Sequence, residues 1–379
     1  MFCTRLKKHA FRREYALTIL NRLLSDCIRD VDGLRGYLKL SEDDATRITE
    51  ISKRYPICIP PYYLNLIDPD DPDDPIRRIC VPGFQELSGS GLEDTSGEGD
   101  NTVIRGMQHK YLQTALILTT SQCAMYCRFC FRKRMVGYSE HETAEHARQM
   151  ADYVAQHPEI NNVLLSGGDA LINSNSVIEM YLKTFSEIPT LDFIRIGTRA
   201  PVVLPMRVYE DKELLDILKK YNRRKQILII THFNHPKEIT PEAITAIDAL
   251  IRCGCVVRNQ TVLLKGVSDA PKTLARLLNT LVSIGVVPYY VFQCRPARGA
   301  IDEFQIPLLN GSLIVEEAKA MMNGQAKSFH YCMSHATGKI EILGTLEGNK
   351  MLFKYHQAKY AGDNSRIFVK ELAEDQCWL

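Results

Sequence analysis

The sequence predicts an α/β fold, a partial (β/α)6 TIM-type barrel with a helical N-terminal extension and a small β-rich C-terminal appendage. Strand and helix patterns alternate six times between about residues 109 and 325, which is typical of parallel strands joined by right-handed crossovers. Clusters of polar residues come at or near the ends of these strands, mostly the C-terminal ends, where parallel barrels build their sites. Six units fit an incomplete barrel.

The N-terminal extension, residues 1–105, begins with helical patterns and then becomes irregular. Apolar residues recur at a helical period between Glu14 and Ile28, and Ser41 opens a second helix with a capping-box pattern. Prolines then interrupt any helix, and the acidic stretch 68–74 is predicted to be an extended surface linker. The segment 88–100 is rich in glycine, serine and acidic residues, so we expect a flexible loop leading to the core.

The core, residues 106–325, supplies the barrel, and the C-terminal segment, residues 326–379, supplies the appendage. Six runs of the core have the length and composition of buried strands, with amphipathic helical stretches between them. The predicted strands are 115–120, 162–165, 193–197, 226–231, 256–264 and 287–292. Short alternating runs at 339–342 and 351–353 predict β-structure in the appendage.

Three cysteines directly follow the first predicted strand in a C-x3-C-x2-C arrangement, namely Cys123, Cys127 and Cys130. Cysteine thiolates hold iron–sulfur clusters, and a cubane cluster with only three protein ligands keeps one iron free to bind something else. An open iron indicates chemistry rather than storage. Structural zinc is an alternative, although it nearly always takes four protein ligands and no second cysteine pair stands where it would be needed. Free structural thiols are a third interpretation.

Composition favours a cytoplasmic protein with a large core. The chain has 379 residues, of which 45% are apolar and 24% are charged. Its net charge of +2 predicts no general attraction to nucleic acid or to acidic membranes. No apolar run approaches the roughly 18 residues that span a bilayer. The 12 cysteines occur in a long chain that does not open with a signal peptide, and oxidation would destroy a cluster, so we expect a reducing compartment.

The cysteine spacing resembles the signature of the radical S-adenosylmethionine (radical SAM) enzymes, which share an incomplete barrel. Further blocks, in the same order along the chain, resemble the lysine 2,3-aminomutases and their relatives. Those blocks are residues 74–78 (DPIRR), 123–134 (CAMYCRFCFRKR), 164–169 (LLSGGD), 195–205 (RIGTRAPVVLP), 231–236 (THFNHP) and 259–267 (NQTVLLKGV). Several ordered blocks are far more specific than any single motif.

The resemblance implies a [4Fe-4S] cluster and S-adenosylmethionine, which together generate a 5'-deoxyadenosyl radical. It assigns the cluster to Cys123, Cys127 and Cys130, and S-adenosylmethionine to the turn formed by Ser166, Gly167, Gly168 and Asp169. The two glycines would let the backbone approach a ligand closely. The alternative for this turn is a plain strand-to-helix connection capped by Asp169. The family also implies an electron donor such as flavodoxin or ferredoxin and a homo-oligomer.

The family further uses pyridoxal phosphate, whose resting Schiff base needs a lysine. Lys339 lines up with that lysine, although the chain keeps only Gly338 of the glycine run before it. Lys110 and Tyr111 resemble the block that meets the phosphate and the pyridine ring, with Lys110 in place of an arginine and Thr114 in place of another. The alternative interpretation of Lys339 is an exposed lysine on a strand.

The resemblance also assigns substrate contacts. Arg132 matches the arginine that pairs with the substrate α-carboxylate, a task that suits a planar guanidinium. Arg295 falls near the position where lysine-specific enzymes carry an aspartate for the terminal ammonium, and Cys332 aligns with a second such aspartate. Because a cation at Arg295 repels a lysine side chain and attracts a carboxylate, we expect an acidic amino acid such as glutamate. An internal ion pair is the competing role for Arg295.

No zinc is expected, because only Cys377 lies where lysine-specific relatives carry their zinc cysteines. Cys253 and Cys255 are predicted to be small buried hydrophobic residues. His232 and His235 are predicted to line or pack against the cofactor cavity. The neighbours Arg128, Lys133 and Arg134 are predicted to be solvated or to stabilise an anionic cluster.

The leading hypothesis is a radical SAM aminomutase, an isomerase that moves an amino group between C2 and C3 of an amino acid with the help of pyridoxal phosphate. Two alternatives stay open. The first is a radical enzyme of the same family without pyridoxal phosphate, which abstracts hydrogen from a different small molecule or from a protein side chain. The second is a non-catalytic iron–sulfur protein.

Overall fold

The computed structural model describes residues 19–139, 141, 143 and 145–379. In this part of the chain, strands form one twelve-stranded sheet and follow one another across it in chain order. They are β1 (Thr102–Ile104), β2 (Met107–Tyr111), β3 (Thr114–Thr120), β4 (Asn162–Gly167), β5 (Phe193–Gly197), β6 (Gln226–Thr231), β7 (Val256–Leu263), β8 (Val287–Gln293), β9 (His330–His335), β10 (Gly338–Thr345), β11 (Lys350–Ala358) and β12 (Ile367–Glu371).

The predicted partial barrel is confirmed. Strands β3 to β8 are the six predicted strands, each within two residues of its expected bounds, and every neighbouring pair among them is parallel. The parallel run continues by one more strand, because β9 pairs with β8 in the same direction. Since β1 and β12 lie at the two edges of the sheet, the barrel is open.

Helices connect the parallel strands, as the alternating pattern predicts. The longer ones are Ala147–Gln156, Asn175–Ser186, Lys212–Asn222, Pro241–Arg252, Pro271–Ser283 and Leu308–Ala320. Short helical turns occur at Ala170–Ile172, Ala200–Val203, Met206–Tyr209, Pro236–Glu238 and Ile301–Phe304. The sequence carries the start signals: the Thr240 side chain accepts a hydrogen bond from the Ala243 amide, and Pro241 takes the first helical position.

The pleat of the strands separates the core from the barrel interior. On β4, Val163 and Leu165 are buried at 0% and 3% exposure and belong to the main hydrophobic core. The alternate residues Leu164 and Ser166 instead line a cavity inside the barrel. Because successive side chains point to opposite faces of a sheet, one strand both packs the core and supplies the site.

The N-terminal extension is mostly helical, in a series of short pieces. A helix covers 19–25, so the predicted first helix is present where the chain is described, and its earlier residues lie outside the described part. The remaining pieces are Val31–Arg35, Glu42–Arg54, Pro61–Leu64, Pro75–Cys80, Phe84–Leu87 and Glu98–Asn101. The predicted capping box of Ser41 with Asp44 is confirmed.

The expected loop at 88–100 contains no helix or strand before the short helix Glu98–Asn101, but part of it is buried rather than solvated. Its flexibility stays a prediction. Thr95, Ser96 and Glu98 of this segment are buried, and Ser96 and Glu98 line the cavity inside the barrel. Polar composition misled the prediction because these groups are satisfied by hydrogen bonds and ion pairs rather than by water.

The C-terminal part contains the predicted β-structure as an antiparallel meander of β9, β10, β11 and β12. It extends the barrel sheet without a break, and β1 and β2 extend the opposite edge. The division into 1–105, 106–325 and 326–379 stays a prediction. No helix in the described part of the chain is both long and apolar enough to cross a bilayer.

Candidate active site

A cavity of about 350 Å³ opens inside the barrel and reaches the carboxyl ends of its parallel strands. All the side chains and glycines predicted to form the site line this one cavity. They are Lys110, Tyr111, Cys123, Cys127, Cys130, Arg132, Ser166, Gly167, Gly168, Asp169, Arg295 and Lys339. Residues nearly 230 positions apart in sequence therefore meet in one place, whereas their individual roles stay predictions.

Three free cysteines, Cys123, Cys127 and Cys130, line the cavity just after β3. A single tetrahedral zinc ion would hold its sulfur ligands roughly 4 Å apart. Within the described residues, the cysteines do not form a group whose ligand atoms all lie within 4.8 Å of one another. The three sulfur atoms are soft ligands of the kind that an iron–sulfur cluster needs. They are spaced more widely than the ligands of a single zinc ion.

Arg199 places a positive charge beside this cysteine set. Its Nη1 lies 2.7 Å from Cys127 Sγ, and its Nη2 pairs with Glu238. Burial raises the pKa of Cys130 to about 11 and that of Cys123 well above its usual range. Both thiols stay protonated until a metal displaces the proton, so cluster binding releases protons here.

The turn after β4 packs tightly on the cysteine loop. A β-carbon on Gly168 would lie 2.2 Å from the Gln122 carbonyl oxygen, and one on Gly167 would lie 2.3 Å from the Thr120 carbonyl oxygen. The Gly168 amide donates to that Thr120 oxygen at 2.7 Å. These glycines are therefore required for the contact between the turn and the loop that holds the cysteines, beside any role toward a ligand.

Asp169 has the capping role that the alternative interpretation gave it. Its carboxylate accepts from the Leu171 amide at 3.0 Å, from Thr198 Oγ1 at 2.6 Å and from the Arg199 amide at 2.7 Å. Burial raises the pKa of this carboxyl group. It joins the ends of β4 and β5 and so shapes the cavity wall.

Lys339 lies on the opposite side of the barrel, on β10, and is only 9% exposed. The exposed-lysine interpretation is therefore wrong. The Lys339 Nζ atom lies 4.1 Å from the centroid of the Tyr290 ring and donates to Gln357 Oε1 at 3.3 Å. Burial disfavours the ammonium and lowers the pKa of Lys339 to about 7. A substantial fraction is a free amine at neutral pH, the form that attacks a carbonyl.

Lys110 approaches the same block of chain. Its Nζ donates to the His335 carbonyl oxygen at 2.6 Å and to the Ser96 carbonyl oxygen at 3.1 Å. Burial, followed by the charges of Arg295 and Lys359, lowers the pKa of Lys110 to about 8. This cluster of cations next to Lys339 suits a phosphate group.

Arg132 is held by an acid that the sequence did not reveal. Its Nε and Nη2 donate to Glu98 Oε1 at 2.9 and 2.7 Å, and its Nη1 donates to the Gly167 carbonyl oxygen at 3.2 Å. Arg134 pairs with the other oxygen of Glu98 at 2.8 Å. Although burial opposes ionisation, the two guanidinium groups hold the pKa of Glu98 at about 2.

A second missed acid, Glu86, binds the other basic residues of the cysteine loop. Its carboxylate accepts from Arg128 Nε at 2.9 Å, and it pairs with both Arg128 and Lys133 at 2.5 Å. The predicted solvation of Arg128, Lys133 and Arg134 is therefore wrong, since each is paired with a buried glutamate. Their role in stabilising an anionic cluster stays a prediction. The only available signal was charge complementarity between segments far apart in sequence.

Arg295 stacks on the Phe131 ring, with 3.8 Å between its Cζ atom and the ring centroid, and hydrogen bonds to Ser96. Within the described residues it takes part in no ion pair within 4.0 Å, which argues against the competing role. Burial lowers the pKa of Arg295 to about 10, and the nearby Glu98 charge opposes that shift. The guanidinium is a half-buried cation that forms no ion pair with a carboxylate within the described residues.

The remaining histidines and cysteines follow the predictions in position. His232 lines the cavity, and burial lowers its pKa to about 3, so the ring is neutral. His235 caps the short helix Pro236–Glu238. Cys253 and Cys255 are buried, as predicted for small hydrophobic residues.

Comparisons with known proteins agree with this geometry. A family profile described as the radical SAM superfamily matches residues 117–278, and that superfamily implies a [4Fe-4S] cluster and S-adenosylmethionine. A putative L-lysine 2,3-aminomutase of Aquifex aeolicus is 39% identical over 343 residues, covering 90% of this chain and 91% of that protein. The L-lysine 2,3-aminomutase of Clostridium subterminale is 39% identical, covering 78% of this chain and 71% of that protein.

A relative named for a different substrate is almost as similar in sequence. The glutamate 2,3-aminomutase of Clostridioides difficile is 35% identical, covering 83% of this chain and 76% of that protein. Identity alone therefore does not distinguish between the two substrates. The chain belongs to the lysine 2,3-aminomutase family of radical SAM enzymes and is an isomerase of that family.

Proposed function

We propose that the protein is a pyridoxal phosphate-dependent radical SAM 2,3-aminomutase acting on an acidic amino acid, glutamate above all. The observation that carries the proposal is the single cavity that joins the cysteine set to Lys339, with the cation Arg295 in its lining. Moving an amino group between neighbouring carbons exchanges it with a hydrogen, so the overall reaction consumes no oxidant.

Cys123, Cys127 and Cys130 would hold three irons of the cluster and leave the fourth for S-adenosylmethionine. When bound and reduced, this pair of groups supplies the 5'-deoxyadenosyl radical, and a flavodoxin or ferredoxin is the proposed electron donor. The protein contributes positioning: the turn after β4 fixes the cysteine loop, and Arg199 places a positive charge beside Cys127.

Lys339 would hold pyridoxal phosphate, since it is a buried lysine whose lowered pKa favours the reactive free amine. When bound, this cofactor supplies an electron-withdrawing ring that stabilises an unpaired electron beside the migrating nitrogen. Lys110 would neutralise the phosphate, because it contacts the His335 carbonyl oxygen just before the turn that carries Lys339. Tyr111 lies near Lys339 and offers a ring face, with its centroid 5.9 Å from Lys339 Nζ.

The charge of the cavity favours an acidic substrate. Lys110, Arg132, Arg295 and Lys339 line it together with Glu98. Glu98 is already shared by Arg132 and Arg134, whereas Arg295 and Arg195 line the cavity without an ion pair within the described residues. Of these two, Arg295 is the one expected near the substrate side chain. Two like charges 4 Å apart at an effective dielectric constant of 20 repel by about 4 kcal/mol, which is enough to disfavour the lysine ammonium near Arg295.

The cofactor part of the proposal is tested on anaerobically purified protein. Iron, sulfide and alkali-released pyridoxal phosphate are measured in the wild type, in Lys339→Ala and in a control at an exposed lysine of the same region, Lys350→Ala. We expect the wild type and the control to contain both cofactors, and Lys339→Ala to lose covalent pyridoxal while keeping iron. Iron without pyridoxal in the reconstituted wild type would overturn the proposal and favour the radical enzyme that acts without pyridoxal phosphate.

A further inference from the structure

Three strands of the C-terminal meander bring His330, Glu341 and His356 together below Lys339. One ligand atom of each residue lies within 4.8 Å of the other two, and within the described residues this is the one group of three potential ligands that meets that distance. We propose that these residues bind a divalent transition-metal ion, of which Zn²⁺ is the representative. This site is separate from the cysteine set and does not depend on the proposed function.

The spacing is close to what an ion needs. His330 Nδ1 and Glu341 Oε1 are 2.7 Å apart, and the His330 and His356 ring centroids are 4.6 Å apart. A tetrahedral zinc ion with nitrogen and oxygen ligands at about 2.1 Å holds those atoms about 3.4 Å from one another. Side-chain rotations that move the three ligand atoms by less than about 1 Å each would therefore make room for the ion between them.

The donor set has the composition of a zinc or iron(II) site. Two imidazole nitrogens and one carboxylate are borderline ligands that suit first-row divalent metals, and three protein ligands leave a position for water. His356 also has the outer hydrogen bond that ligating histidines usually make, because its Nε2 lies 2.8 Å from Tyr290 Oη. That contact fixes the ring, and Nδ1 is then the nitrogen that would bind the metal.

The site is reachable from solvent and is only partly compensated in charge. The His330 side chain is 41% exposed and that of Glu341 is 18% exposed, so a hydrated ion can enter. Lys339, two residues before Glu341, and Lys354, its partner in the β10 and β11 register, are the neighbouring cations. One carboxylate against two cations predicts weaker binding than at an all-cysteine zinc site.

A bound ion would join β9, β10 and β11 at the base of the cavity. Glu341 and Lys339 lie on the same face of β10, so the metal would fix the strand that presents Lys339. The sequence predicts no zinc because the C-terminal zinc cysteines of lysine-specific relatives are missing. That prediction does not bear on this site, because the ligands here are two histidines and a carboxylate.

The test titrates ZnCl₂ into cluster-loaded protein under anaerobic conditions, so that the three cysteines of the cavity are occupied by iron. Zinc and iron are counted after gel filtration for the wild type, His330→Gln, Glu341→Gln and His356→Gln. The matched control is His157→Gln, a partly buried histidine stacked on Tyr153 at the end of an outer helix. We expect about one zinc per chain in the wild type and the control, and zinc affinity at least about tenfold weaker in the three site variants, with iron unchanged.

Zinc K-edge X-ray absorption on the wild type alone gives an independent answer that does not depend on how the variants fold. The proposal requires a first shell of nitrogen and oxygen atoms at about 2.0 to 2.2 Å. Sulfur scattering at about 2.3 Å would place the zinc on cysteines and overturn the proposal. The proposal would also be overturned if the cluster-loaded wild type did not retain zinc. The same holds if His157→Gln lost as much zinc affinity as the three site variants.

Discussion

At the scale of single residues, burial rather than residue type determines the chemistry of Lys339. An ordinary lysine has a pKa near 10.5, and desolvation lowers that of Lys339 to about 7. The pKa of Lys339 depends mainly on burial, because Nζ lies against the Tyr290 and Phe292 rings and donates to one amide oxygen. The free amine is therefore abundant where an exposed lysine would be protonated.

The rate at which pyridoxal phosphate reacts with the apoprotein should report this shift. Below pH 7 the fraction of free amine on Lys339 falls about tenfold per pH unit, so we expect the rate to rise steeply up to pH 7 and then level off. The measurement is Schiff-base absorbance against time between pH 5.5 and 9.5, with Lys339→Ala as the blank. A rate that keeps rising beyond pH 9 would show an unperturbed lysine and contradict the prediction.

Arg295 should determine the preference for an acidic substrate. Arg295→Gln removes a half-buried cation that lacks an ion-pair partner within the described residues, while keeping a polar side chain. A hydrogen bond to a charged group contributes about 1.5–3 kcal/mol, so we expect KM for glutamate to rise about 10- to 100-fold. Steady-state kinetics check this, with Arg298→Gln as control because Arg298 pairs with Glu93 at the surface. Unchanged KM for glutamate in Arg295→Gln would remove the basis of the substrate proposal.

Glu98 should stabilise the folded protein through Arg132 and Arg134. Its pKa is held at about 2, below the usual 4.5, so its contribution is complete above pH 4.5 and is lost as the pH falls toward 2. At pH 7 we expect Glu98→Gln to lower the free energy of unfolding by about 3 kcal/mol, because two guanidinium groups lose their buried anion. Denaturant unfolding measures this, with the exposed Glu316→Gln as control. Equal unfolding free energies for Glu98→Gln and the wild type would contradict the prediction.

Contacts of this kind could not be predicted from the sequence. Glu98 lies in the segment 88–100, whose composition indicates a loop, and Glu86 lies just before it. Nothing in the local pattern shows that each faces the basic residues of the cysteine loop. The cavity-lining cysteines and the turn 166–169 were predictable because each belongs to a motif block with its own local signal. Pairing between distant segments has no such signal.

At the scale of secondary-structure elements, the parallel strands were predictable and the edges of the sheet less so. Strands β3, β4 and β6 contain continuous apolar runs bounded by polar residues, which is the signal of strands covered on both faces, whereas β5 and β7 alternate buried and partly buried positions. The parallel pairing of β9 with β8 was not predicted. That strand, His330–His335, has only three consecutive apolar residues between polar ones, which is too short a run to stand out in the sequence, and it follows the helix Leu308–Ala320.

The turn after β4 offers a direct test of how elements hold the cysteine loop. Gly168→Ala would place a methyl group 2.2 Å from the Gln122 carbonyl oxygen, so the loop must move. We expect a loss of about 1–3 kcal/mol in the free energy of unfolding together with reduced iron content. Gly324→Ala is the control, because no atom lies within 4 Å of the added carbon. Full iron content and stability in Gly168→Ala would show that the contact does not support the cluster.

At the scale of the whole molecule, the open barrel places the cysteine loop and Lys339 on opposite sides of one cavity. The cysteine loop follows β3 near one end of the sheet, and Lys339 lies on β10 toward the other. Curvature of the sheet brings them together, and no local segment of the sequence contains that information. The predicted homo-oligomer and cytoplasmic location stay predictions.

The most direct test of the central claim is product analysis with the cluster- and pyridoxal-loaded enzyme under anaerobic conditions. The protein is incubated with S-adenosylmethionine, dithionite and either glutamate or lysine, and products are identified by NMR. We expect glutamate to give 3-aminopentanedioate, with kcat/KM at least about tenfold above that for lysine. Preferential conversion of lysine to its 3,6-diamino isomer, or no isomer from either amino acid, would contradict it.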